Sequence, residues 1–273
     1  TLTGLSRVRA MAQDDAHIYC ESADVPAEIE RFFAMTAEGY RDLRLSGVKV
    51  SVSTRPERFL GEAADWDVAE QALIDCVKSA GFECGIKKGE AAFYAPKVEF
   101  DFQDVLGRAW TLSTIQVDMA APTRFELAYV GRDGQEHRPA MLHRAILGSL
   151  ERFIAIYLEH TAGDFPLWLA PVQAVVLPIT DRHADYAAKV GAALQAAGLR
   201  AECDVRSEKL NFKIREAELQ KIPLMLVVGD QEVANGTVTP RRRHGTKGAA
   251  ESVALDAFVL ELSAAVAERR ESI

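Results

Sequence analysis

The sequence predicts two domains: an α+β domain built on a mostly antiparallel sheet, followed by a compact α/β domain with a mixed sheet. Three features of the 273 residues support this prediction. Strand-like segments joined by hairpins and insertions dominate the first part of the chain, whereas strands and helices alternate in the last part. Between them, two prolines bracket an apolar connector at residues 165–171, and proline disfavours helix on either side. We therefore expect domains of residues 1–165 and 166–273.

The first domain is predicted from segments with a period of two, which is typical of half-buried strands. These segments are residues 5–20, 48–54, 93–102, 110–119 and 125–130, with a further strand from residue 141. Helical patterns fill the gaps at residues 27–45, 66–80 and 147–159. Because hairpins and long insertions join the strands, the expected sheet is mostly antiparallel and carries helices.

The second domain is predicted from a regular alternation of strand and helix. An apolar strand at residues 172–179 precedes a helix at 184–197, which Gly198 ends. A strand at 200–205, a helix around 212–220, a buried strand at 224–228 and a closing helix at 252–269 follow. This order favours a compact α/β domain.

Composition limits the classes of function. With 48% hydrophobic and 26% charged residues, the chain is not globally disordered. No apolar run approaches the roughly 18 residues of a membrane span, and the first residues lack the apolar core of a signal peptide. We expect a cytoplasmic protein without a membrane partner, and its four scattered cysteines fit reduced thiols. The net charge of -8 argues against nucleic acid only for the chain as a whole, because such binding is local.

Polar side chains alternate with small apolar ones along residues 7–17. If this segment is extended, its odd positions share one face. The odd positions are Arg7, Arg9, Met11, Gln13, Asp15 and His17. Alone, this pattern favours a solvated edge strand. The alternative is a ligand-binding strand, since arginine suits phosphate and Asp beside His can orient an amine or hold a metal.

Three further segments carry charge or polarity in patterns that suggest a site. Gln116 and Asp118 share one face of a predicted strand, and Lys97 shares a face with Glu99; an ordinary amphipathic hairpin would give the same pattern. Arg152 falls in the first turn of a predicted helix, where the helix dipole disfavours a cation. Either a buried anion or a salt bridge to a carboxylate would offset that misplacement.

Taken in order, these segments resemble the threonyl-tRNA synthetases, a family of class II aminoacyl-tRNA synthetases. The motifs of the first domain are RVR at 7–9, QDDAHIYC at 13–20, STRPE at 53–57, AFYAPK at 92–97, IQVD at 115–118 and HRAILGSLER at 143–152. Those of the second domain are FPLWLAPVQ at 165–173, RSEKLNFKIRE at 206–216 and PLMLVVGDQEV at 223–233. The resemblance covers essentially the whole chain and implies a class II catalytic sheet followed by an anticodon-binding domain.

The resemblance also implies an ATP site. The first strand would be the second arm of class II motif 2, and residues 143–153 would be motif 3. Arg152 would grip the γ-phosphate of ATP, and Arg7 and Arg9 would lie near the phosphates and the adenylate. Met11 stands where the family usually stacks an aromatic residue on adenine, and Lys97 matches a lysine near the substrate.

The threonine pocket follows from the same resemblance. His17 and His143 match the two histidines that, with a cysteine, hold the family's zinc ion, which binds the amino group and β-hydroxyl of threonine. The other pocket positions are matched by Gln13, Asp15, Tyr94 and Gln116. A pocket that coordinates a hydroxyl rejects analogues lacking it more strongly than shape alone can.

The implied reaction is the ATP-dependent charging of tRNA(Thr) with threonine. The threonine carboxylate would attack the α-phosphorus of Mg²⁺-bound ATP to give threonyl-adenylate and pyrophosphate. The terminal ribose hydroxyl of the tRNA would then take the acyl group. Zn²⁺ and Mg²⁺ are the implied metals, and the family assembles as a homodimer.

A run of cations in the second domain stands out in an acidic chain. It consists of Arg241, Arg242, Arg243, His244 and Lys247. Such a run is typical of a solvated loop or of a nucleic-acid contact. By the resemblance, Arg241 and Glu232 would read anticodon bases and Lys209 would lie near the anticodon, as polar side chains read unpaired RNA bases.

The resemblance begins inside the family's catalytic domain and departs from it at several positions. We expect motif 1, the first arm of motif 2 with its arginine, and the zinc cysteine to come from a longer protein or from another chain. Residues less common in the family stand at Ala10, Ala91, Ala95, Ser113, Ala121 and Ser207. They support one alternative, a divergent paralogue that gives self-resistance to an inhibitor of threonyl-tRNA synthetase. A second alternative is a non-catalytic tRNA-binding or regulatory relative.

Overall fold

The structure, a computed structural model, describes residues 2–243, 245 and 251–270. The chain divides into two units, residues 1–160 and 161–273. This division falls just before the proline-bracketed connector.

The first unit contains eight strands and four helices. They are β1 (Ala16–Cys20), α1 (Val25–Asp42), β2 (Lys49–Ser53), α2 (Ala63–Ser79), β3 (Cys84–Lys87), β4 (Lys97–Gln103), β5 (Ala109–Asp118), α3 (Ala120–Arg124), β6 (Tyr129–Val130), β7 (Glu136–His137), β8 (Ala140–Ala145) and α4 (Leu150–Thr161). Six strands form one sheet in the order β1-β8-β5-β4-β2-β3, and every neighbouring pair is antiparallel except β2 and β3. The expected antiparallel character is therefore confirmed.

One face of this sheet packs against α1 and α2. Phe32 of α1 lies edge-on to Phe100 of β4, with ring centroids 5.9 Å apart, and both side chains are fully buried. Val98 is fully buried in the same way, so the apolar half of the β4 alternation faces the helices. The opposite face carries the polar half, which includes Lys97 and Glu99.

The expected strand over residues 5–20 is wrong before residue 16. Residues 4–6 form a turn closed by hydrogen bonds between Thr3 and Arg7. Among the described residues before β1, the isolated bridges are the one that closes this turn and one from Gln13 to Ser149. The backbone of this segment bonds instead to the start of α4, since the N–H of Leu150 donates to the carbonyl of Ala12. Without a partner strand alongside, the odd residues from 7 to 13 share no sheet face.

Two other expected strands are shorter than predicted. Residues 92–95 form a tight turn, in which the N–H of Ala95 donates to the carbonyl of Ala92, and β4 begins only after Pro96. The expected strand at 125–130 is reduced to β6, because the short helix α3 and the turn after it occupy the preceding residues. Pro96 explains the first error, because proline cannot donate a hydrogen bond to a strand ladder.

The second unit alternates strands and helices, as the sequence predicts. Its elements are β9 (Ala174–Pro178), α5 (Ala184–Ala196), β10 (Ala201–Cys203), α6 (Leu210–Leu219), β11 (Leu224–Val228), α7 (Asp230–Asn235), β12 (Thr237–Arg242), β13 (Val253–Ala254) and α8 (Leu255–Ala267). The sheet order is β10-β9-β11-β12-β13. β9 pairs in parallel with β10 and β11, whereas β12 is antiparallel to β11 and β13, so the sheet is mixed.

Both faces of this second sheet are covered. Val176 of β9 packs in a core with Leu194 of α5 and Leu262 of α8, whereas its neighbour Val175 packs on the other side with Ala217 of α6. Burial on both faces explains why β9 and β11 read as continuous apolar runs. None of the described helices has the length and apolar character that a membrane crossing requires.

Candidate functional site

A row of side chains crosses all six strands of the first sheet. Residues paired directly on neighbouring strands share a face. The strand registers place in one row His17, His143, Gln116, Lys97, Ser53 and Lys87. The first four are residues that the sequence singles out, and they come from four separate motifs.

The two imidazoles of this row lie side by side. Their ring centroids are 4.8 Å apart, and the rings are nearly perpendicular, at 80°. Tyr94, in the turn before β4, lies with its ring 5.8 Å from that of His143, and its hydroxyl donates a hydrogen bond of 3.2 Å to Oε1 of Gln116. Four residues predicted for the threonine pocket therefore meet on one face of the sheet.

Asp118 fixes the orientation of the His143 ring through a hydrogen bond. Its side chain is almost fully buried, and its Oδ2 lies 2.9 Å from Nε2 of His143. Burial alone would raise the pKa of this carboxyl, but the hydrogen bond from His143 and those from the N–H groups of Ala121 and Ala120 hold it below its usual value. An ionised Asp118 accepts a hydrogen bond from Nε2 of His143, which leaves Nδ1 as the ring nitrogen available to a ligand.

Lys97 is held by a second acidic residue, Glu99. Its Nζ lies 2.7 Å from Oε1 of Glu99, while Oε2 of Glu99 accepts hydrogen bonds from Ser53 at 2.7 Å and Lys87 at 3.2 Å. Burial opposes ionisation of Glu99, yet the hydrogen bonds from Lys97 and Ser53 lower its pKa. The position of the Lys97 ammonium is thus fixed by a buried, ionised carboxylate.

Two arginines lie together without a carboxylate between them. Arg152 donates from Nε to the carbonyl of Ser6 at 3.1 Å and from Nη1 to that of Thr111 at 3.3 Å, and its guanidinium lies 5.3 Å from the centre of the Trp110 ring. Burial, and then repulsion by Arg7, lowers the pKa of Arg152. In the described part of the chain, neither Arg7 nor Arg152 has an ion-pair partner.

The alternative explanation for Arg152, a salt bridge with Glu151, is not supported by the geometry. The Glu151 carboxylate instead accepts hydrogen bonds from the backbone N–H of Ala12 at 3.1 Å and from the hydroxyl of Ser149 at 3.0 Å. Uncompensated cations that lie close together favour an anionic ligand, because binding it removes their repulsion.

The remaining predicted residues lie on the segment before β1. Arg9, Met11, Gln13 and Asp15 are all exposed, and Met11 keeps 59% of its surface accessible. The intervening Asp14 points the other way. Its carboxylate accepts hydrogen bonds from the backbone N–H groups of Ile146, Leu147 and Gly148 at 2.8 to 3.1 Å.

The residues present fit part of a zinc site. Neutral imidazoles are preferred ligands of Zn²⁺, and a carboxylate that fixes the second ring nitrogen is a common companion of such ligands. His17, His143 and Asp118 match that pattern. Among the described residues, however, no three histidine, cysteine, aspartate or glutamate side chains cluster as a metal site would require. The described chain supplies two donors.

Ser113, one of the residues less common in the family, lies on the face of the sheet opposite to this row. Its hydroxyl is hydrogen-bonded to the Tyr40 hydroxyl of α1 and to the carbonyl of Ile146, and it is fully buried. Burial raises the pKa of the Tyr40 phenol to about 12. This departure from the family therefore joins a helix to the sheet and adds nothing to the cleft, which weakens the argument for inhibitor exclusion at this position.

In the second unit, two of the three residues predicted to read the anticodon lie near one another. Glu232 of α7 accepts hydrogen bonds from the N–H of Gly229 at 2.9 Å and from the hydroxyl of Thr239 at 2.7 Å. Thr239 precedes Arg241 by two positions on β12, so the two share a face. Arg241 itself lies 3.3 Å from Glu218 of α6.

The third residue, Lys209, is exposed at the start of α6. The structure gives it no described contact with Glu232 or Arg241. His244 and Lys247 of the cation run lie outside the described residues.

Three acidic residues of the site were given no role by the sequence, although Asp118 and Glu99 were recognised as sharing a face with Gln116 and Lys97. Asp118 and Glu99 each lie two positions from a selected residue, Gln116 and Lys97, and so share its face. That alternation was a usable signal for both. Asp14 could not be found in this way, because its partners lie more than 130 positions away in the chain.

Two family models match the chain. The model of the tRNA synthetase class II core domain (G, H, P, S and T) matches residues 1–161, and the model of an anticodon binding domain matches residues 173–265. The chain is 50% identical over 267 residues to the threonine-tRNA ligase of Alkalilimnicola ehrlichii and 48% identical over 273 residues to that of Thermus thermophilus. These matches cover 98% and 99% of this chain but 41% of each relative, so the chain spans less than half of their length.

A solved structure also matches this chain over almost its whole length. The crystal structure of the RNA binding domain of threonyl-tRNA synthetase from Cryptosporidium parvum has a TM-score of 0.90 and 37% sequence identity, covering 96% of this chain and 66% of that one. The class II core model alone matches more than half of the chain, and the anticodon-binding model follows it in sequence. The chain therefore belongs to the class II tRNA synthetases of the G, H, P, S and T group.

Proposed function

We propose that the protein carrying this chain is a threonine-tRNA ligase, which forms threonyl-adenylate from threonine and ATP and transfers threonine to tRNA(Thr). The observation that carries this proposal is the row from His17 to Lys97, with Tyr94 beside it. It combines two imidazoles, an amide, a phenol and an ammonium on one open sheet face. The threonine-tRNA ligases named above share about half of their aligned sequence with this chain.

Arg7 and Arg152 would bind the phosphates of ATP. Attack of the threonine carboxylate on the α-phosphorus places negative charge on the phosphate oxygens and on the leaving pyrophosphate. Two neighbouring guanidiniums stabilise that charge, and Mg²⁺ bound with ATP would share it. Arg9 and Met11 lie exposed on the same segment and would contact the adenylate. No protein nucleophile is needed, so positioning and charge neutralisation account for the rate.

Threonine would lie over His17 and His143, where these two residues would hold Zn²⁺ together with a donor that the described residues do not provide. When bound there, zinc offers an open coordination position to the substrate's hydroxyl. Gln116 and Tyr94 would fix the side of the substrate opposite the imidazoles, while Gln13 and Asp15 approach from the segment before β1. Lys97, held by Glu99, would bring a cation to the substrate carboxylate or to the adenylate.

The second unit would bind the anticodon of tRNA(Thr), with Arg241 and Glu232 reading unpaired bases and Lys209 lying near the anticodon. Arginine and glutamate present complementary donors and acceptors to base edges, which suits recognition of single-stranded RNA. A homodimer and a cytoplasmic location form part of the same proposal. Sedimentation of the purified full-length protein tests the first, and cell fractionation tests the second.

Exchange of labelled pyrophosphate into ATP tests the first half-reaction. We expect full-length, zinc-replete protein to show exchange that depends on threonine and that falls at least a hundredfold when Arg152 is replaced by alanine, because a cation that would bind the phosphates is lost. Arg108→Ala is the matched control, since Arg108 also stacks on Trp110 but pairs with Asp104. Protein that binds tRNA(Thr) but gives no exchange would instead be a non-catalytic relative.

A further inference from the structure

Lys213 is the most deeply buried cation of the described second unit. It lies in α6 with 3% of its surface exposed, although lysine is almost never buried unless its charge is compensated. Its Nζ donates a hydrogen bond of 2.9 Å to the carbonyl of Asp204 and one of 3.4 Å to that of Pro178. Within the described residues, no carboxylate forms an ion pair with it. Its contacts are therefore with backbone at the ends of two strands.

These two carbonyls lie where neighbouring parallel strands end. Pro178 is the last residue of β9, and Asp204 directly follows β10. The N–H of Asp204 in turn donates to the carbonyl of Val176 at 3.0 Å. Buried carbonyls require a donor, and here one ammonium provides it for both strands.

A second set of contacts links Asp204 to α6. The Asp204 carboxylate accepts hydrogen bonds from Nε of Arg206 at 2.9 Å and from Nη2 at 2.7 Å, and Nη1 of Arg206 lies 3.1 Å from Glu216. Glu216 follows Lys213 by three positions on α6. These hydrogen bonds raise the pKa of Arg206 and lower that of Asp204, so both groups stay charged.

Apolar packing holds α6 on its inner side, where Ala217 packs with Val175. Beside it, between α6 and the edge strand β10, lies a groove of about 290 Å³ that is open to solvent and that Lys213 and Arg206 help to line. The chain just after Asp204 is exposed and is not part of that apolar core, so polar contacts determine its position.

The next residues along the chain are exposed. Loop 205–209 runs from the Asp204 anchor to Lys209, the residue before α6, and each of its residues is accessible to solvent. Lys213 links its two ends, because the Nζ of Lys213 bonds to the carbonyl of Asp204 before the loop and Lys213 itself lies in α6, which begins after Lys209.

We infer that Lys213 is a positioning residue that preorganises loop 205–209 for tRNA and acts through Lys209. The inference rests on the proposed anticodon role of the second unit and adds to it a residue that cannot touch the RNA itself. An ordered loop binds more tightly because less conformational freedom is lost on binding. In this proposal, the ammonium of Lys213 donates hydrogen bonds to carbonyls of the protein, and the exposed Lys209 contacts the RNA.

Steady-state kinetics of Lys213→Met test this inference in the full-length protein. Methionine keeps the apolar stem and removes the donors. We expect the KM for tRNA(Thr) in aminoacylation to rise about tenfold or more, while threonine-dependent pyrophosphate exchange stays within twofold. Lys213→Arg should recover most of the loss, because it restores the donors. Lys189→Met is the matched control, since Lys189 is exposed on α5 at the other face of the sheet.

A double-mutant cycle shows whether Lys213 acts through Lys209. Lys209→Ala should raise the KM for tRNA(Thr) clearly in the parent protein and only slightly in the Lys213→Met background, because coupled residues are not additive. Additive effects, or an unchanged KM in Lys213→Met, overturn the inference. Equal losses in exchange and charging also overturn it, because they indicate general unfolding.

Amide hydrogen exchange separates failure of the inference from failure of the proposed function. If the parent protein charges no tRNA, the proposed function fails. The loop can still be measured: amides of residues 204–209 should exchange at least tenfold faster in Lys213→Met than in Lys189→Met. Unchanged protection of these amides overturns the positioning role whatever the activity of the parent.

Discussion

The Asp118 carboxylate uses both of its oxygens inside the first unit. Oδ1 accepts hydrogen bonds from Ala120 and Ala121 at the start of α3, and Oδ2 accepts one from His143. Its conformation is therefore fixed before any ligand arrives, and it fixes the imidazole ring in turn. Replacing a residue that hydrogen-bonds to a metal-ligating histidine typically lowers metal affinity by about 10- to 100-fold.

We expect Asp118→Asn to weaken zinc retention by about that factor, because a neutral amide accepts the hydrogen bond from Nε2 of His143 more weakly than a carboxylate does and can turn its NH₂ group to the ring instead. Metal content after dialysis against a graded zinc chelator measures this directly, without reference to activity. Asp133→Asn is the matched control, since Asp133 forms the same kind of pair with His137 at 2.8 Å on the exposed β6–β7 hairpin. Equal zinc retention in both variants would contradict the role assigned to Asp118.

At the scale of elements, the turn between β8 and α4 connects several parts of the site. Asp14 accepts three backbone N–H groups from this turn, and Arg152 lies one turn of helix further on. Gly148 makes the turn possible. Its φ is 70°, and a Cβ at this position would lie 2.7 Å from the carbonyl oxygen of Leu112. Only glycine satisfies both conditions.

Gly148→Ala should therefore destabilise the protein by about 3 kcal/mol or more, because it adds a collision with backbone to an unfavourable φ. Gly89→Ala isolates the effect of the unfavourable φ, since Gly89 has a φ of 74° with no atom near its missing Cβ. This substitution should cost only about 1 kcal/mol. Urea denaturation of the two variants gives the comparison. Similar free energies of unfolding would show that the turn relaxes around the added methyl group.

The same elements show how far the sequence alone could predict the site. Alternation predicted which residues share a face of β4 and β5, because one face of each strand packs on a helix and the other does not. It failed for residues 7–13, whose backbone bonds to the start of α4 and so follows no strand period. It also could not bring His17 beside His143, because the strand order β1-β8-β5-β4-β2-β3 departs from the order of the chain. That juxtaposition depended on the resemblance to the family.

At the scale of the whole molecule, charge is distributed unevenly. A net charge of -8 suggests no affinity for RNA, yet Arg241 and Arg242 lie together on β12 in an otherwise acidic protein. Because side chains alternate along a strand, the two arginines lie on opposite faces of β12. Arg241 contributes to the surface near Glu232, and Arg242 does not. Long-range electrostatic attraction to RNA phosphates depends little on which face of the strand an arginine occupies, whereas recognition of a base requires the arginine to lie on the correct face.

Arg241→Ala should raise the KM for tRNA(Thr) about tenfold or more and leave threonine-dependent pyrophosphate exchange unchanged, because adenylate formation does not involve the second unit in this scheme. Arg242→Ala removes the same charge from the adjacent, exposed position and should raise that KM less than threefold. Charging and exchange assays on both variants at two salt concentrations separate the two contributions, since loss of a phosphate contact reduces the salt dependence and loss of a base contact does not. Equal effects of the two substitutions would mean that this strand attracts RNA without reading it.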